Sequence, residues 1–253
     1  MTQPPDRVLE PSPVPSGARP GQRIVPLFLL LGLGHLALVW RLGAWTPASE
    51  ATRAAALLTF GAALALGSLG LSRGYPHDRL GACNAVTQLR AALACCLVLP
   101  ILDPGLMAAL RLDWAVVALA LLTLALDGLD GWLARRSGLA SSFGARFDME
   151  VDAVFALLLA LLVLRLDKAG PWVLLLGLAR YGFVLAQAAL PWLRGPLPER
   201  LSRKAVCVLQ IAVLILLLAP PVAPPLSTLL AAVATLALIW SFARDIRWLA
   251  ARR

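Results

Sequence analysis

Charge is what this chain has least of. Only 15% of its 253 residues are Asp, Glu, Lys or Arg, against about 25% in an ordinary globular chain, which excludes both a solvated coil and a water-facing globule. Histidine is nearly absent. His35 falls in an apolar run and His77 in a loop, so neither a histidine metal site nor a Ser-His-Asp triad is spelled. The four cysteines, Cys83, Cys95, Cys96 and Cys207, form no Cys-x-x-Cys pair, and three lie in apolar stretches. A disulfide framework and a zinc site are thereby excluded. No fixed-period repeat occurs. What is present instead is apolar surface, 60% of residues with a mean hydropathy of +0.79, and the solvent it asks for is a bilayer. The net charge of +9 sits at the ends of apolar runs without an aromatic-interleaved groove. Anionic lipid headgroups, rather than nucleic acid, are its natural counterpart.

Residues 1–23 carry Pro4, Pro5, Pro11, Pro13, Pro15 and Pro20 among polar residues, a composition that buries too little surface to fold and reads as a flexible tail. The apolar run that follows has no short signal-peptide core or small-residue cleavage site, so it is expected to stay as an anchor. At roughly 20 apolar residues per crossing, eight spans can be read: 24–45, 51–72, 82–101, 112–135, 144–166, 171–192, 202–219 and 225–243. Lys and Arg near the span ends divide sixteen to five between the two sides, with Arg90 and Arg180 inside spans. That asymmetry predicts an even number of crossings with both termini in the cytoplasm.

Four aspartates fall in one stretch. Asp127 and Asp130 are spaced i, i+3 at the end of the fourth span, and Asp148 and Asp152 are spaced i, i+4 at the start of the fifth, so each pair projects from one helix face. The short loop between makes the helices antiparallel neighbours and brings the four carboxylates to the cytoplasmic end of the bundle. Their mutual repulsion in a low dielectric requires a counter-charge. Hard divalent cations that prefer oxygen, Mg²⁺ or Mn²⁺, are implied. Gly128, Gly131 and Gly144 permit close approach of a helix or ligand, and Arg135, one turn after Gly131, suits a phosphate.

The stretch reads Asp127-x-x-Asp130-Gly131-x-x-Ala134-Arg135, eight residues, then Gly144-x-x-x-Asp148-x-x-x-Asp152. It resembles the signature of the CDP-alcohol phosphatidyltransferase family at every position. Upstream, Asn84-x-x-Thr87-x-x-Arg90 is similar to the family's first core helix, with Cys83 where a proline is usual. The resemblance covers spans three to eight. It implies an all-α membrane bundle in which a six-helix core, 74–253, follows a two-helix addition, 24–73. It further implies transfer of a substituted phosphate from a CDP-linked lipid donor to an alcohol, with release of CMP, two divalent ions and a homodimer. By the same resemblance Asp127, Asp130 and Asp148 are metal ligands, and Asp152 is the general base and also a ligand. Asn84, Thr87, Gly131, Ala134, Arg135 and Gly144 then face the CDP moiety, and Arg180, Arg203 and Lys204 the acceptor. Lys204-x-x-Cys207-x-x-Gln210 matches the family's Lys-x-x-Thr-x-x-Gln only in part, and Asp148-Met149-Glu150-Val151-Asp152-Ala153 fits no one acceptor subfamily.

Two other classes use intramembrane aspartates. A polytopic Mg²⁺-dependent prenyltransferase carries its two acidic motifs in separate halves of the chain, whereas here they are on neighbouring helices. A cation transporter accounts for the aspartates but not for the Gly, Ala and Arg positions. The topology is open to a direct test. A single cysteine at Ser137, in a background without the native four, should react with an impermeant thiol reagent only after the cells are permeabilised; labelling of intact cells would invert the assignment.

Overall fold

Where lipid replaces water, every backbone group must be paired within the protein, and helices do this locally. The computed structural model describes residues 20–195, 197–198 and 200–252, and the elements among them are all helical. In chain order they are α1 (Pro20–Ala44), α2 (Glu50–Gly74), α3 (Ala82–Cys95), α4 (Val98–Leu102), α5 (Gly105–Leu110), α6 (Asp113–Ser137), α7 (Ser142–Arg165), α8 (Leu174–Ala189), α9 (Leu201–Leu218) and α10 (Leu226–Ala250). Short 3₁₀ turns at Pro171–Val173 and Pro191–Arg194 flank α8.

Among the described residues seven segments are long and apolar enough to cross a membrane, with α3 and α4 together forming the third. The eighth expected span is present as α7, of 24 residues. It differs from the others because Arg146, Asp148, Glu150 and Asp152 crowd its first turns. Two expected boundaries shift. The tail read as 1–23 lies outside the described residues as far as 19, and its last residues belong to α1, which opens on Pro20, a residue whose missing N–H costs nothing at a first helical position. The final helix continues past 243 to Ala250, since neither glycine nor proline interrupts it.

The third span is the axis of the bundle. In its most apolar window 78% of the residues are buried, and none of the other six apolar segments exceeds 39%. Hence Asn84, Thr87, Gln88 and Arg90 are all buried on α3 and must find partners inside the protein. Gln88 finds them in α1: its amide nitrogen donates to the Phe28 carbonyl at 3.0 Å, and its oxygen lies 3.2 Å from His35 Nδ1. Helices α1 and α2 form an antiparallel hairpin, closely packed where Gly21 meets the Leu71 carbonyl. Phe28 then stands edge-on to Phe147 of α7 at 5.8 Å, and Phe147 stacks on Phe143. The hairpin is thus packed on both α3 and α7.

Helix α6 ends at Gly138, whose φ of 67° is a left-handed conformation that suits glycine. Ser141 then caps α7, its hydroxyl accepting from the Gly144 amide at 3.0 Å. These two signals fix a four-residue turn and make α6 and α7 antiparallel neighbours. On the far side of α7, Gly177 of α8 sits so close that a Cβ there would lie 2.6 Å from Leu157 Cα, which holds Arg180 beside the start of α7.

Candidate functional site

The sequence places Asp127 and Asp130 in the last turns of α6, and Asp148 and Asp152 in the first turns of α7; α3 adds a fifth charged group. Arg90 is 1% exposed and reaches all four carboxylates. Its Nη1 lies 2.7 Å from Asp130 Oδ2 and 2.5 Å from Asp148 Oδ1, while Nη2 lies 2.8 Å from Asp127 Oδ1 and also pairs with Asp152 Oδ1. Arg90 Nε donates to the Thr123 carbonyl at 3.3 Å. The planar guanidinium suits this task because its donors point outward in fixed directions.

The carboxylates differ in depth. Asp130 is 5% exposed, whereas Asp127, Asp148 and Asp152 are 34%, 36% and 45% exposed. The Thr87 hydroxyl lies 3.0 Å from both Asp130 Oδ2 and the Cys83 carbonyl, and its single proton serves one of them at a time. One oxygen from each of Asp127, Asp148 and Asp152 lies within 4.8 Å of the others. Such oxygens can surround one hard cation at bond lengths of about 2.0 to 2.6 Å. One guanidinium leaves four carboxylates under-neutralised, so both the donor chemistry and the residual charge fit a divalent ion.

Asp127 and Asp152 open onto a cavity of about 450 Å³ whose opposite wall includes Arg180, Arg203, Cys207, Gln210 and Asp245. Arg180 pairs through Nη2 with Glu150. Arg203 approaches Asp245 Oδ2 at 3.6 Å, and Arg200 approaches its Oδ1 at 4.0 Å. Lys204 is exposed and does not line this cavity. The residues expected at the CDP moiety lie elsewhere around the carboxylates. Asn84 donates to the Tyr75 hydroxyl at 3.3 Å, and a Cβ on Gly144 would lie 3.1 Å from Asn84 Oδ1. The close approach expected at Gly144 is thus made to α3. Arg135 is exposed and folds back over Gly131, next to Ala134. Tyr75, in the segment between α2 and α3, donates to the Arg79 carbonyl at 2.7 Å, and burial pushes its phenol up from the ordinary range.

A family model described as CDP-alcohol phosphatidyltransferase matches residues 80–243. The chain belongs to this family. The matched region begins just before α3 and ends within α10, so it contains the carboxylate cluster, Arg90 and the cavity wall as far as Phe242, and leaves Asp245, α1 and α2 outside. No curated protein and no solved structure matches the chain. Members of the CDP-alcohol phosphatidyltransferase family are transferases, and this member has the helices of a multi-pass membrane protein.

Sequence reasoning left three features unread. Arg90 stood inside a span as part of the α3 stripe, although four carboxylates had already called for a buried cation. Asp245 fell beyond the expected end of the last span. Glu150 lies between Asp148 and Asp152 in sequence, but its offset puts it on another face of α7, where it meets Arg180. A prediction follows for Arg90. Removing one partner of a buried ion cluster costs about 3–5 kcal/mol, so Arg90→Leu should lower the midpoint of thermal unfolding in detergent when divalent ions are chelated, and Mg²⁺ should recover part of the loss. An unchanged midpoint would mean that the guanidinium does not hold α3, α6 and α7 together.

Proposed function

We propose that the chain transfers a phosphatidyl group from a CDP-linked lipid, such as CDP-diacylglycerol, to an alcohol, releasing CMP for phospholipid synthesis. The observation that carries this reading is the convergence of the four aspartates on Arg90, with two of them, Asp127 and Asp152, lining a cavity that also takes in Arg180 and Arg203. A lipid tail needs the bilayer and a nucleotide needs water, so carboxylates at the helix ends meet both demands. The excess of Lys and Arg on that side supports a cytoplasmic site and cytoplasmic termini. Residues 74–253 form the catalytic core in this reading, and 24–73 a chain-specific addition.

Asp127, Asp130 and Asp148 would hold the divalent ions, with Asp152 as a further ligand. Bound Mg²⁺ or Mn²⁺ would offset charge on the diphosphate and the departing CMP. Asp152 is the most exposed of the four carboxylates and faces the cavity, where it takes the proton of the acceptor hydroxyl. The acceptor oxygen bonds to the lipid phosphorus as the bond from that phosphorus to the CMP oxygen breaks. Arg180 and Arg203 orient the acceptor from the opposite wall, with Lys204 at its edge. Asn84, Thr87, Gly131, Ala134, Arg135 and Gly144 shape the nucleotide side.

Purified protein given Mn²⁺, CDP-diacylglycerol and a panel of glycerol phosphate, serine, inositol and inositol phosphate should release CMP with one acceptor, and EDTA should stop it. Turnover in excess EDTA, or no CMP with any acceptor, would overturn the reading and return attention to ion transport. Asp152→Asn should lower turnover by about 10² to 10⁴ with little change in donor binding. Asp127→Asn and Asp148→Asn should instead weaken metal affinity and be partly rescued by excess Mn²⁺. Equal rescue of all three would make Asp152 chiefly a ligand.

A further inference from the structure

A second cavity, of about 750 Å³, lies between the N-terminal hairpin and the core and shares no lining residue with the first. One wall is a face of α2 running from Thr59 to Gly74, and the others come from α3, from α7 between Ser142 and Val154, and from Tyr181 of α8. Those fifteen residue steps of α2 extend about 22 Å at 1.5 Å each, more than half of a hydrocarbon core about 30 Å thick. The groove therefore runs from the middle of the membrane to the face that carries the carboxylates. Small side chains, Ala62 and Ala63 among them, leave room along α2, and Phe143, Phe147, Val151 and Val154 make the facing wall apolar.

The end of the groove is cationic. Arg73 and Arg146 both line it, both are exposed, and neither makes an ion pair among the described residues. Glu150 is the one carboxylate in the lining, and it is paired with Arg180. The start of α7 adds a partial positive charge at the same level. Two guanidinium groups at the mouth of an apolar slot of one-leaflet depth match a phosphate esterified to an acyl-bearing glycerol. A second copy of the chain is a poorer fit. A two-fold contact through this face would bring a second Arg73 and Arg146 against the first pair.

The geometry points to a binding site here for one anionic glycerophospholipid, with an acyl chain along α2 and its phosphate between Arg73 and Arg146. This inference does not depend on the transfer reaction. The site lies on the face of α7 away from the cavity that Asp152 lines, so its occupant supports the helix that carries half the carboxylates.

The test is native mass spectrometry of the full chain, released from nanodiscs of equal dioleoylphosphatidylglycerol and dioleoylphosphatidylcholine. The wild type should retain one phosphatidylglycerol per chain in preference to phosphatidylcholine. At about fivefold per cation near a lipid phosphate, R73Q/R146Q should lower that preference by about 30-fold. Should the double variant fail to fold, A63W provides a second arm: it fills the slot, leaves both arginines, and should abolish retention of either lipid. Inorganic phosphate in excess should not displace the bound lipid. Equal retention of the two lipids by the wild type, undiminished preference in R73Q/R146Q, or retention unaffected by A63W would each overturn the site. So would a lipid-free dimer that A63W splits, since the groove would then hold a second copy.

Discussion

The structure turns on one guanidinium among four carboxylates. Burying any of these groups alone in a membrane bundle would be costly, and burying four like charges together would be worse. Arg90 relieves this by forming ion pairs with both members of each aspartate pair, so the side chain that satisfies α6 is the same one that satisfies α7. That shared partner dictates the packing order. Helix α3 must lie where it can reach the end of α6 and the start of α7 at once, and it becomes the most enclosed span in consequence.

The central position of α3 makes its polar residues divide by direction. Thr87 and Arg90 turn toward the aspartates, whereas Gln88, one position from Thr87 and so on another face, turns toward Phe28 and His35 of α1. One helix thus ties the N-terminal hairpin to the reactive end of the bundle without a covalent link. Phe28, Phe143 and Phe147 make the parallel apolar connection from α1 to α7. The family match omits α1 and α2, yet the hairpin packs on the two helices that bear Arg90, Asp148 and Asp152, as well as on α4.

Charge in the cavity wall is likewise held in balance. Arg180 is offset by Glu150, and Arg200 with Arg203 by the buried Asp245, one of whose oxygens, Oδ1, accepts no hydrogen bond. The cations of this wall are thus already oriented by carboxylates.

Much of this was legible in the residues themselves. Apolar run lengths set the spans to within a few positions, except at the end of α10, because crossing a bilayer demands a nearly fixed number of residues. The spacings of Asp127 with Asp130 and of Asp148 with Asp152 put each pair on one face, because helical periodicity is local. The short loop between the two aspartate pairs made those helices neighbours for the same local reason. Other features depend on which faces of distant helices meet. Arg90 as the common partner, Glu150 as the mate of Arg180, Asp245 beneath Arg203 and the slot beside α2 all join residues 30 or more positions apart or on separate elements. Sequence spacing determines the direction of a side chain from its own helix axis. The rotation and depth at which two helices pack decide what that side chain meets, and those are set by the fit of the whole bundle.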